Sequence, residues 1–404
     1  MMISRRNFLA VAGAAAAAAA LTACGGSSSS TSTASSTASS AASEAASKIA
    51  KVALTCDTGT IDDESFNQAC WSAVSSYMGD DCQYYIPEAD ASDEDRETMI
   101  RQAVNDGAEV IVCVGYLYGA SLAWAAEQYP DVKFIAIDVT QFDIGTDEIP
   151  SNCYCITFKE EQAGYLAGYA IAKDGKTKLG FLGGMAVPAV IRYGYGFVQG
   201  VDAAAKELDK TVELNYVYGN MFSGDPDITA AMDVWYQGGT QVVFACGGGI
   251  YTSAVDAAKK VNGAKVIGVD VDQAGVIAKY AAGEGADQAT IDGFKALTVT
   301  SAMKGLYPAT FDTLTDVIVK GNWDNYKGKI QNLGLVSGDD PTLNYVQIPM
   351  ESTQWKDGAF TQDNYKAMVK EMFDGTLTVS NDITKAAKDF ATVITVDDQG
   401  KIKG

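Results

Sequence analysis

Acceptor and aromatic side chains follow a short apolar run near the start of this sequence. Residues 51–71 read KVALTCDTGTIDDESFNQACW, with Asp57 directly after the apolar run and Phe66 and Asn67 shortly beyond it. A carboxylate, a ring and an amide so close together are what a pocket for a small, polar and partly flat ligand needs. In open α/β sheets, ligands bind beyond the carboxyl ends of the strands. Taken alone, however, these residues are explained more simply by an Asp-capped turn that leads into an amphipathic helix.

The elements that would position these side chains alternate between strand-like and helix-like segments. The strand-like runs are residues 52–56, 110–114, 134–137, 153–156, 179–182, 213–217, 242–246 and 266–269. Helical spacing is seen at residues 93–106, 121–129, 161–173, 194–208, 227–237, 253–261 and 364–373. This alternation predicts an α/β fold of parallel sheets covered on both faces by helices.

The number of such units is enough for two Rossmann-like lobes with a hinge and a cleft between them. We expect a first lobe of residues 49–157 plus about 271–325, and a second lobe of residues 158–270 plus about 330–404. The Gly- and Ala-rich residues 282–292 predict a loop.

The first residues resemble an export signal. Arg5 and Arg6 form a twin-arginine pattern before an Ala-rich apolar run, and Leu-Thr-Ala precedes Cys24 as in a bacterial lipobox. We therefore predict a signal at residues 1–23, lipidation of Cys24, and a flexible Ser/Ala linker at 24–48. This places the protein at the extracytoplasmic face of a bacterial cell membrane, held by its lipid anchor only. An ordinary signal peptide with a chance cysteine is the alternative.

Composition excludes several classes of function. The formal net charge of −21 argues against nucleic acid as a partner. The absence of histidine removes Ser-His-Asp and Cys-His nucleophiles and the usual zinc sites, so we expect no catalytic residue, metal or cofactor. Of the eight cysteines, Cys56, Cys113 and Cys246 lie in apolar runs and are predicted to be small core residues.

Several motifs together resemble the basic membrane protein family, the substrate-binding lipoproteins that serve as purine-nucleoside receptors of ABC importers. The motifs are DTGTIDDESFNQACW, YPDVKFIAID, LGFLGGMAVPAV with GYGFVQG, FACGGGIYTSAVDAAK, VIGVDVDQ and LTVTSAMKG, in family order. The resemblance implies a type I periplasmic-binding-protein architecture with the ligand in the cleft. The sequence departs from the family pattern between Asp272 and Lys304, which are widely separated, and after Gly334, where no glycine-rich closing strand is evident.

The resemblance also implies the residues that bind the ligand. It places Asp57 at the nucleobase, with Phe66 and Phe222 as opposing stacking rings. The remaining members of the set are Asn67, Asp138, Gly248, Gly249, Asp270 and Lys304. Asp270 would accept ribose hydroxyls, Lys304 would lie near the sugar, and the two glycines would let backbone amides approach the ligand. Tyr116 is a weaker candidate at another strand end.

Most of these residues also have an ordinary structural explanation. Phe66 could begin the apolar face of a helix, and Lys304, if on a helix, would by default be a surface charge. Asp62 and Asp63 are expected to cap a helix. Phe222 has less core to join, because its surroundings NMFSGDPD are rich in Gly, Pro and Asp.

The resulting functional prediction is a monomeric nucleoside receptor that delivers its ligand to an ABC transporter permease. One alternative keeps the fold and changes the ligand to a sugar or a signal molecule. A second alternative, an exported nucleoside hydrolase, is disfavoured because the sequence has no histidine, no GxSxG motif and no P-loop. A sensor in place of the permease is also compatible with the sequence.

Overall fold

The computed structural model describes residues 51–88 and 91–404. The predicted export signal at 1–23, the lipidation of Cys24 and the linker at 24–48 lie outside the described residues. Among the helices that are described, none combines the length and apolar character needed to cross a membrane.

Two sheets organise the described part of the chain. Their strands are β1 (Val52–Cys56), β2 (Gln83–Tyr85), β3 (Val110–Val114), β4 (Lys133–Ile137), β5 (Cys153–Phe158), β6 (Lys178–Gly183), β7 (Glu213–Tyr218), β8 (Val242–Cys246), β9 (Lys265–Asp270), β10 (Thr298–Lys304), β11 (Lys329–Leu333), β12 (Val346–Gln347) and β13 (Thr395–Lys401). The first sheet has the order β11-β5-β4-β3-β1-β2 and the second β12-β10-β9-β8-β6-β7-β13. Apart from the antiparallel contact of β10 with β12, the strand pairs are parallel. Each apolar run expected to be a strand lies within one of these strands.

Helices connect the strands and pack on the sheets. They are α1 (Phe66–Met78), α2 (Asp93–Asn105), α3 (Gly119–Gln128), α4 (Gln141–Ile144), α5 (Glu160–Lys173), α6 (Pro188–Glu207), α7 (Pro226–Gln237), α8 (Tyr251–Ala258), α9 (Ala274–Ala282), α10 (Gln288–Phe294), α11 (Leu306–Leu314) and α12 (Gln362–Phe373). Their buried faces and the sheets form one apolar cluster in each lobe and a third that extends through both. Cys56, Cys113 and Cys246 are buried in these clusters, as predicted.

Three connections between the sheets lie side by side and form the hinge. They follow β5, β10 and β11, and backbone hydrogen bonds join them. Lys159 N donates to Leu333 O (2.9 Å), Gly305 N to Tyr345 O (2.7 Å), and Tyr345 N to Gly334 O (3.1 Å). We call the part built on the first sheet the first lobe and the part built on the second sheet the second lobe.

Two strands lie in the other lobe from the one expected. β10, placed by the sequence within a first-lobe segment of about 271–325, pairs with β9 of the second sheet, where Ser301 lies opposite Gly268. β11 pairs with β5 of the first sheet, although residues from about 330 onward were assigned to the second lobe. The chain therefore returns to the first lobe only after Lys304, where α11 packs on α1 with the rings of Tyr77 and Phe311 6.4 Å apart.

The remaining differences concern short elements. The expected loop at 282–292 contains the start of α10, which Asp287 caps by accepting from Thr290 N at 2.8 Å. The predicted helix at 364–373 is confirmed as α12. The sequence did not predict β13, which extends the second sheet beside β7.

Candidate binding cleft

A cleft of about 870 Å³ opens between the lobes at the carboxyl ends of the strands. The structure brings all of the predicted binding residues to its wall: Asp57, Phe66, Asn67, Asp138, Phe222, Gly248, Gly249, Asp270 and Lys304. Tyr116, the weaker candidate, also lines it. They converge because parallel strands end at the same edge of each sheet and these two edges face each other across the hinge. Their roles in ligand binding stay predictions.

Asp57 is held at the base of the cleft by the backbone of the first lobe. Its Oδ2 accepts a hydrogen bond from Leu117 N at 2.9 Å. Gly115 leaves the space for this carboxylate, because a Cβ there would lie 2.1 Å from Asp57 Cγ, and its φ of +115° also favours glycine. Burial raises the pKa of Asp57 to about 7, against the lowering effect of the Leu117 hydrogen bond. Near neutral pH this group can therefore accept or donate a hydrogen bond.

Asn67 presents an unused acceptor beside Asp57. Its Nδ2 donates to Thr58 O at 2.9 Å, and its buried Oδ1 has no hydrogen-bond partner within 51–88 and 91–404. Asp63, as expected, caps α1 by accepting from the backbone N–H groups of Ser65, Asn67 and Gln68 at 2.9–3.0 Å. A buried acceptor without a partner costs free energy until a donor meets it, so Asn67 is suited to a ligand N–H or O–H.

Lys304 differs most from the default expectation for its residue type. It is the last residue of β10, not a helical surface charge, and it is 4% exposed. Its Nζ lies 2.5 Å from Asp138 Oδ2, 4.0 Å from Asp270 Oδ1 and 4.5 Å from the centre of the Phe66 ring. Burial alone would lower the pKa of Lys304, but Asp138, Asp270 and Glu160 together raise it above its ordinary value. The lysine is therefore charged and binds carboxylates of both lobes.

Glu160 is a buried charge that sequence reasoning missed. It is fully buried at the start of α5, where its Oε1 lies 3.5 Å from Lys304 Nζ and its Oε2 lies 2.6 Å from Arg192 Nε. The sequence signal for this role was a charged residue close after β5. Lys159 and Glu161 are also charged residues at this place, so the signal did not single out Glu160. Two cations and three carboxylates thus form one buried network beneath the cleft.

Two aspartates occupy matching places at the strand ends of the two lobes. Asp138 follows β4 and Asp270 ends β9, and both have left-handed backbone angles, φ +61° and φ +64°. Such angles are uncommon for residues other than glycine and often mark functional positions. Burial raises the pKa of Asp138 to about 6, against the effect of Lys304. Its Oδ1 is buried without a partner among the residues described, so it can accept a ligand hydroxyl.

Asp270 is already bound by protein donors on both of its oxygens. Ser65 Oγ donates to Oδ2 at 2.8 Å, and the Tyr193 hydroxyl donates to Oδ1 at 3.3 Å. Ser65 belongs to the first lobe, so this contact crosses the cleft. A ligand hydroxyl would have to share these oxygens or replace Ser65.

Phe222 rests on glycines of the second lobe. A Cβ on Gly184 or on Gly247 would lie 2.4 or 2.8 Å from Cδ1 of its ring. Gly249 N donates to Phe222 O at 2.7 Å. This amide therefore supports Phe222 and is not free for a ligand, in contrast to the expectation from the sequence. Phe66 lines the cleft from the first lobe, and the two half-buried rings are thus contributed by opposite lobes.

The fold and the cleft define a two-lobed solute-binding protein. Solved structures with this fold include ABC transporter solute-binding proteins of Aeropyrum pernix (TM-score 0.60, 21% identity, 84% of this chain and 90% of that one) and Conexibacter woesei (TM-score 0.58, 22% identity, 82% and 99%). At these identities the likeness concerns the fold alone. Within the described part of the chain, no group of His, Cys, Asp and Glu side chains could hold a metal ion.

The chain belongs to the Bmp family, described as PnrA-like ABC transporter substrate-binding proteins, whose model matches residues 49–334. It is 31% identical over 255 residues to a Lactococcus lactis protein named ABC transporter nucleoside-binding protein BmpA, covering 59% of this chain and 68% of that protein. It is 30% identical to basic membrane protein A of Borreliella burgdorferi, covering 56% and 65%. An uncharacterized lipoprotein of Pyrococcus furiosus is 27% identical, covering 80% and 78%.

Proposed function

We propose that this protein is an extracytoplasmic lipoprotein that binds a purine nucleoside between its lobes and delivers it to an ABC permease. The observation that carries the proposal is that Phe66 of the first lobe and Phe222 of the second lobe line one cleft together with buried carboxylates. A purine offers two π faces to such rings, and each base–aromatic stack contributes about 1–3 kcal/mol. The name of the Lactococcus lactis relative supports the same ligand class.

The polar groups suit the two ends of a nucleoside. Asp57, with its pKa of about 7, and the unpaired Asn67 Oδ1 can bind the N–H groups of a base edge. Asp138 and Lys304 offer an acceptor and a donor to vicinal ribose hydroxyls at the other end. The cleft volume of about 870 Å³ lies in the range of small-molecule sites.

Calorimetric titration with purine and pyrimidine nucleosides, free bases, ribose and hexoses tests the ligand. We expect binding of purine nucleosides and much weaker binding of sugars. The double variant Phe66→Ala/Phe222→Ala should abolish nucleoside binding, whereas Phe142→Ala should not, because Phe142 is 96% exposed and outside the cleft. Sugar binding without nucleoside binding would favour the sugar-receptor alternative, and steady release of free base would favour the hydrolase.

Lipid attachment is tested separately in the full chain. Labelled fatty acid should be incorporated into the wild type and lost in Cys24→Ala, and the variant should leave the membrane fraction. If the wild type incorporates no label, the predicted lipid anchor is contradicted, and the proposed ligand is not affected.

A further inference from the structure

We propose that residues 395–404, here called the tail segment, position Phe222 and complete the second-lobe wall of the cleft. The inference rests on the proposed function, because Phe222 is there assigned to ligand stacking. The family match ends at residue 334, so the tail segment lies outside the matched region. Lys403 is the positioning residue in this proposal.

Strand pairing brings the tail segment to the cleft. β13 runs parallel to β7, with Thr395 opposite Glu213 and Lys401 opposite Tyr218. The pairing continues past the strand, because Ile402 N donates to Tyr218 O at 2.9 Å. Parallel strands end at the same sheet edge, so the residues after β13 arrive beside the loop that follows β7. Gly404 accordingly lines the cleft together with Phe222.

Lys403 fastens the far end of that loop, residues 219–225, here called the Phe222 loop. Its Nζ lies 3.1 Å from Asp225 Oδ1 and 2.5 Å from Asp227 Oδ2. Asp225 caps α7 by accepting from Asp227 N at 2.7 Å. Lys403 therefore also pairs with the carboxylate that caps this helix. A further contact, Trp235 Nε1 to Gln399 Oε1 at 3.2 Å, holds the tail segment on α7.

The Phe222 loop is thus fixed from two sides. On the core side, Gly219 N donates to Gly183 O at 2.7 Å and Gly249 N donates to Phe222 O at 2.7 Å. At the other end of the loop, Asp225 is held by the partly exposed Lys403 and by the buried Ser253 Oγ, which accepts from Asp225 N at 2.9 Å. A ring that stacks on a ligand gains affinity when its loop is already ordered, since less entropy is lost on binding. Release of Lys403 should therefore weaken ligand binding without removing any group that touches the ligand.

The first test compares three lysine variants in titrations with the purine nucleoside that binds the wild type best. Lys403→Ala should raise the dissociation constant about two- to fivefold, the scale of one partly exposed ion pair. Lys403→Arg should restore it. Lys401→Ala is the matched control, because Lys401 is exposed and makes no side-chain hydrogen bond or ion pair within the described ranges. Equal losses in Lys401→Ala and Lys403→Ala would overturn the proposal.

A double-mutant cycle with Phe222→Ala tests whether Lys403 acts through the ring. If it does, Lys403→Ala should change the dissociation constant by less than about twofold in the Phe222→Ala background. The same loss in both backgrounds would overturn the positioning role. Where Phe222→Ala binds too weakly to measure, Phe222→Leu serves as the background.

Hydrogen exchange of the ligand-free protein separates this inference from the proposed function. Amides of residues 219–225 should exchange faster in Lys403→Ala, and in a chain that ends at Lys401, than in the wild type or Lys401→Ala. If the wild type binds no nucleoside, the proposed function fails, and unchanged exchange in this loop would overturn the tail segment's role as well. If nucleosides bind equally well to the wild type and Lys403→Ala, the proposed function stands and the inference fails.

Discussion

Ser65 of the first lobe donates a hydrogen bond to Asp270 of the second lobe, with 2.8 Å between Oγ and Oδ2. Ser65 is the residue before α1, yet its side chain does not cap that helix. A second contact lies next to it, where Gln273 Nε2 donates to Glu64 O at 3.0 Å. Both contacts join residues that are distant in sequence and belong to opposite lobes, so they can form only when the cleft is closed.

Ser65→Ala should therefore weaken ligand binding by destabilising the closed arrangement of the lobes. A hydrogen bond to a carboxylate contributes about 1.5–3 kcal/mol, so the dissociation constant should increase by no more than roughly 10- to 100-fold. Titration calorimetry measures the affinity, and small-angle scattering of the ligand-free protein should show a larger radius of gyration. Ser75→Ala is the control, since the Ser75 hydroxyl donates to Ser72 O within α1 and makes no other hydrogen bond to the residues described. Unchanged affinity and radius would contradict a closing role for Ser65.

Lys304→Met should destabilise the folded protein severely. The substitution leaves the buried carboxylates of Asp138, Asp270 and Glu160 without their shared cation, and breaking a buried ion pair costs about 3–5 kcal/mol. Urea unfolding measures the loss, and adding Asp138→Asn should recover part of it by removing one unpaired charge. Lys320→Met is the control, because the pair of Lys320 with Asp316 is exposed on the lysine side and contributes less than about 1 kcal/mol. Equal stability of Lys304→Met and wild type would show that the network is not structural.

The location of the cleft could be predicted from the sequence because buried parallel strands have a recognisable apolar pattern. Most of the interior strands contain a short, largely apolar run, and Asp57 and Asp270 follow such runs directly. β10 was placed in the wrong lobe because its sequence TVTSAMK has no such run, although most of its residues are buried. Its polar side chains depend on partners that are distant in sequence, as the Thr300 hydroxyl does on that of Thr353 at 2.7 Å.

Long-range partners account for what sequence reasoning missed. β13, with the sequence TVDDQGK, is an exposed edge strand that is specified by its pairing with β7, far earlier in the chain. Glu160 could not be distinguished from Glu161 without knowing that Arg192 lies across the α5–α6 contact. The family resemblance supplied Lys304, and only the fold shows that it is a buried charge.

The stability of the ligand-free protein should depend on pH through Asp57. Burial raises the pKa of Asp57 from 3.8 to about 7, so the folded state binds this proton more tightly than the unfolded state. The stability that this proton contributes is fully present below the pKa of Asp57 in the unfolded state and is lost as the pH rises through about 7. It amounts to at most about 4 kcal/mol. The free energy of unfolding should therefore rise as the pH is lowered from about 8 to 6.5, and the buried Glu161, whose pKa is also about 7, contributes with the same sign. Asp63 and Asp138, with pKa values of about 6, protonate at lower pH.

Asp57→Asn isolates this contribution. The amide oxygen can still accept from Leu117 N, so the variant should unfold at higher urea than the wild type at about pH 8. It should lose part of the pH dependence above pH 6.5, and the remainder belongs to Glu161, whose pKa burial also raises to about 7. Asp62→Asn, a substitution at a nearby exposed residue, should leave the pH dependence of the unfolding free energy unchanged. A wild-type slope that persists in Asp57→Asn would assign the titration to another group.

Gly115→Ala should displace Asp57 and so damage stability and ligand binding together. A Cβ at this position would lie 2.1 Å from Asp57 Cγ, and the φ of +115° is unfavourable for alanine. We expect a loss of more than about 1 kcal/mol in unfolding free energy, together with weaker nucleoside binding. Gly275→Ala is the control, because in the described residues no atom beyond the backbone of α9 and the adjacent residues lies within 4 Å of its added Cβ. It should be neutral or stabilising by up to about 1 kcal/mol. Because Asp57→Ala removes the clashing carboxylate, Gly115→Ala should cost less stability in that background than in the wild type, and the remaining cost measures the backbone angle alone. Equal costs in both backgrounds would mean that Asp57 and Gly115 are not coupled and that the glycine serves the turn only.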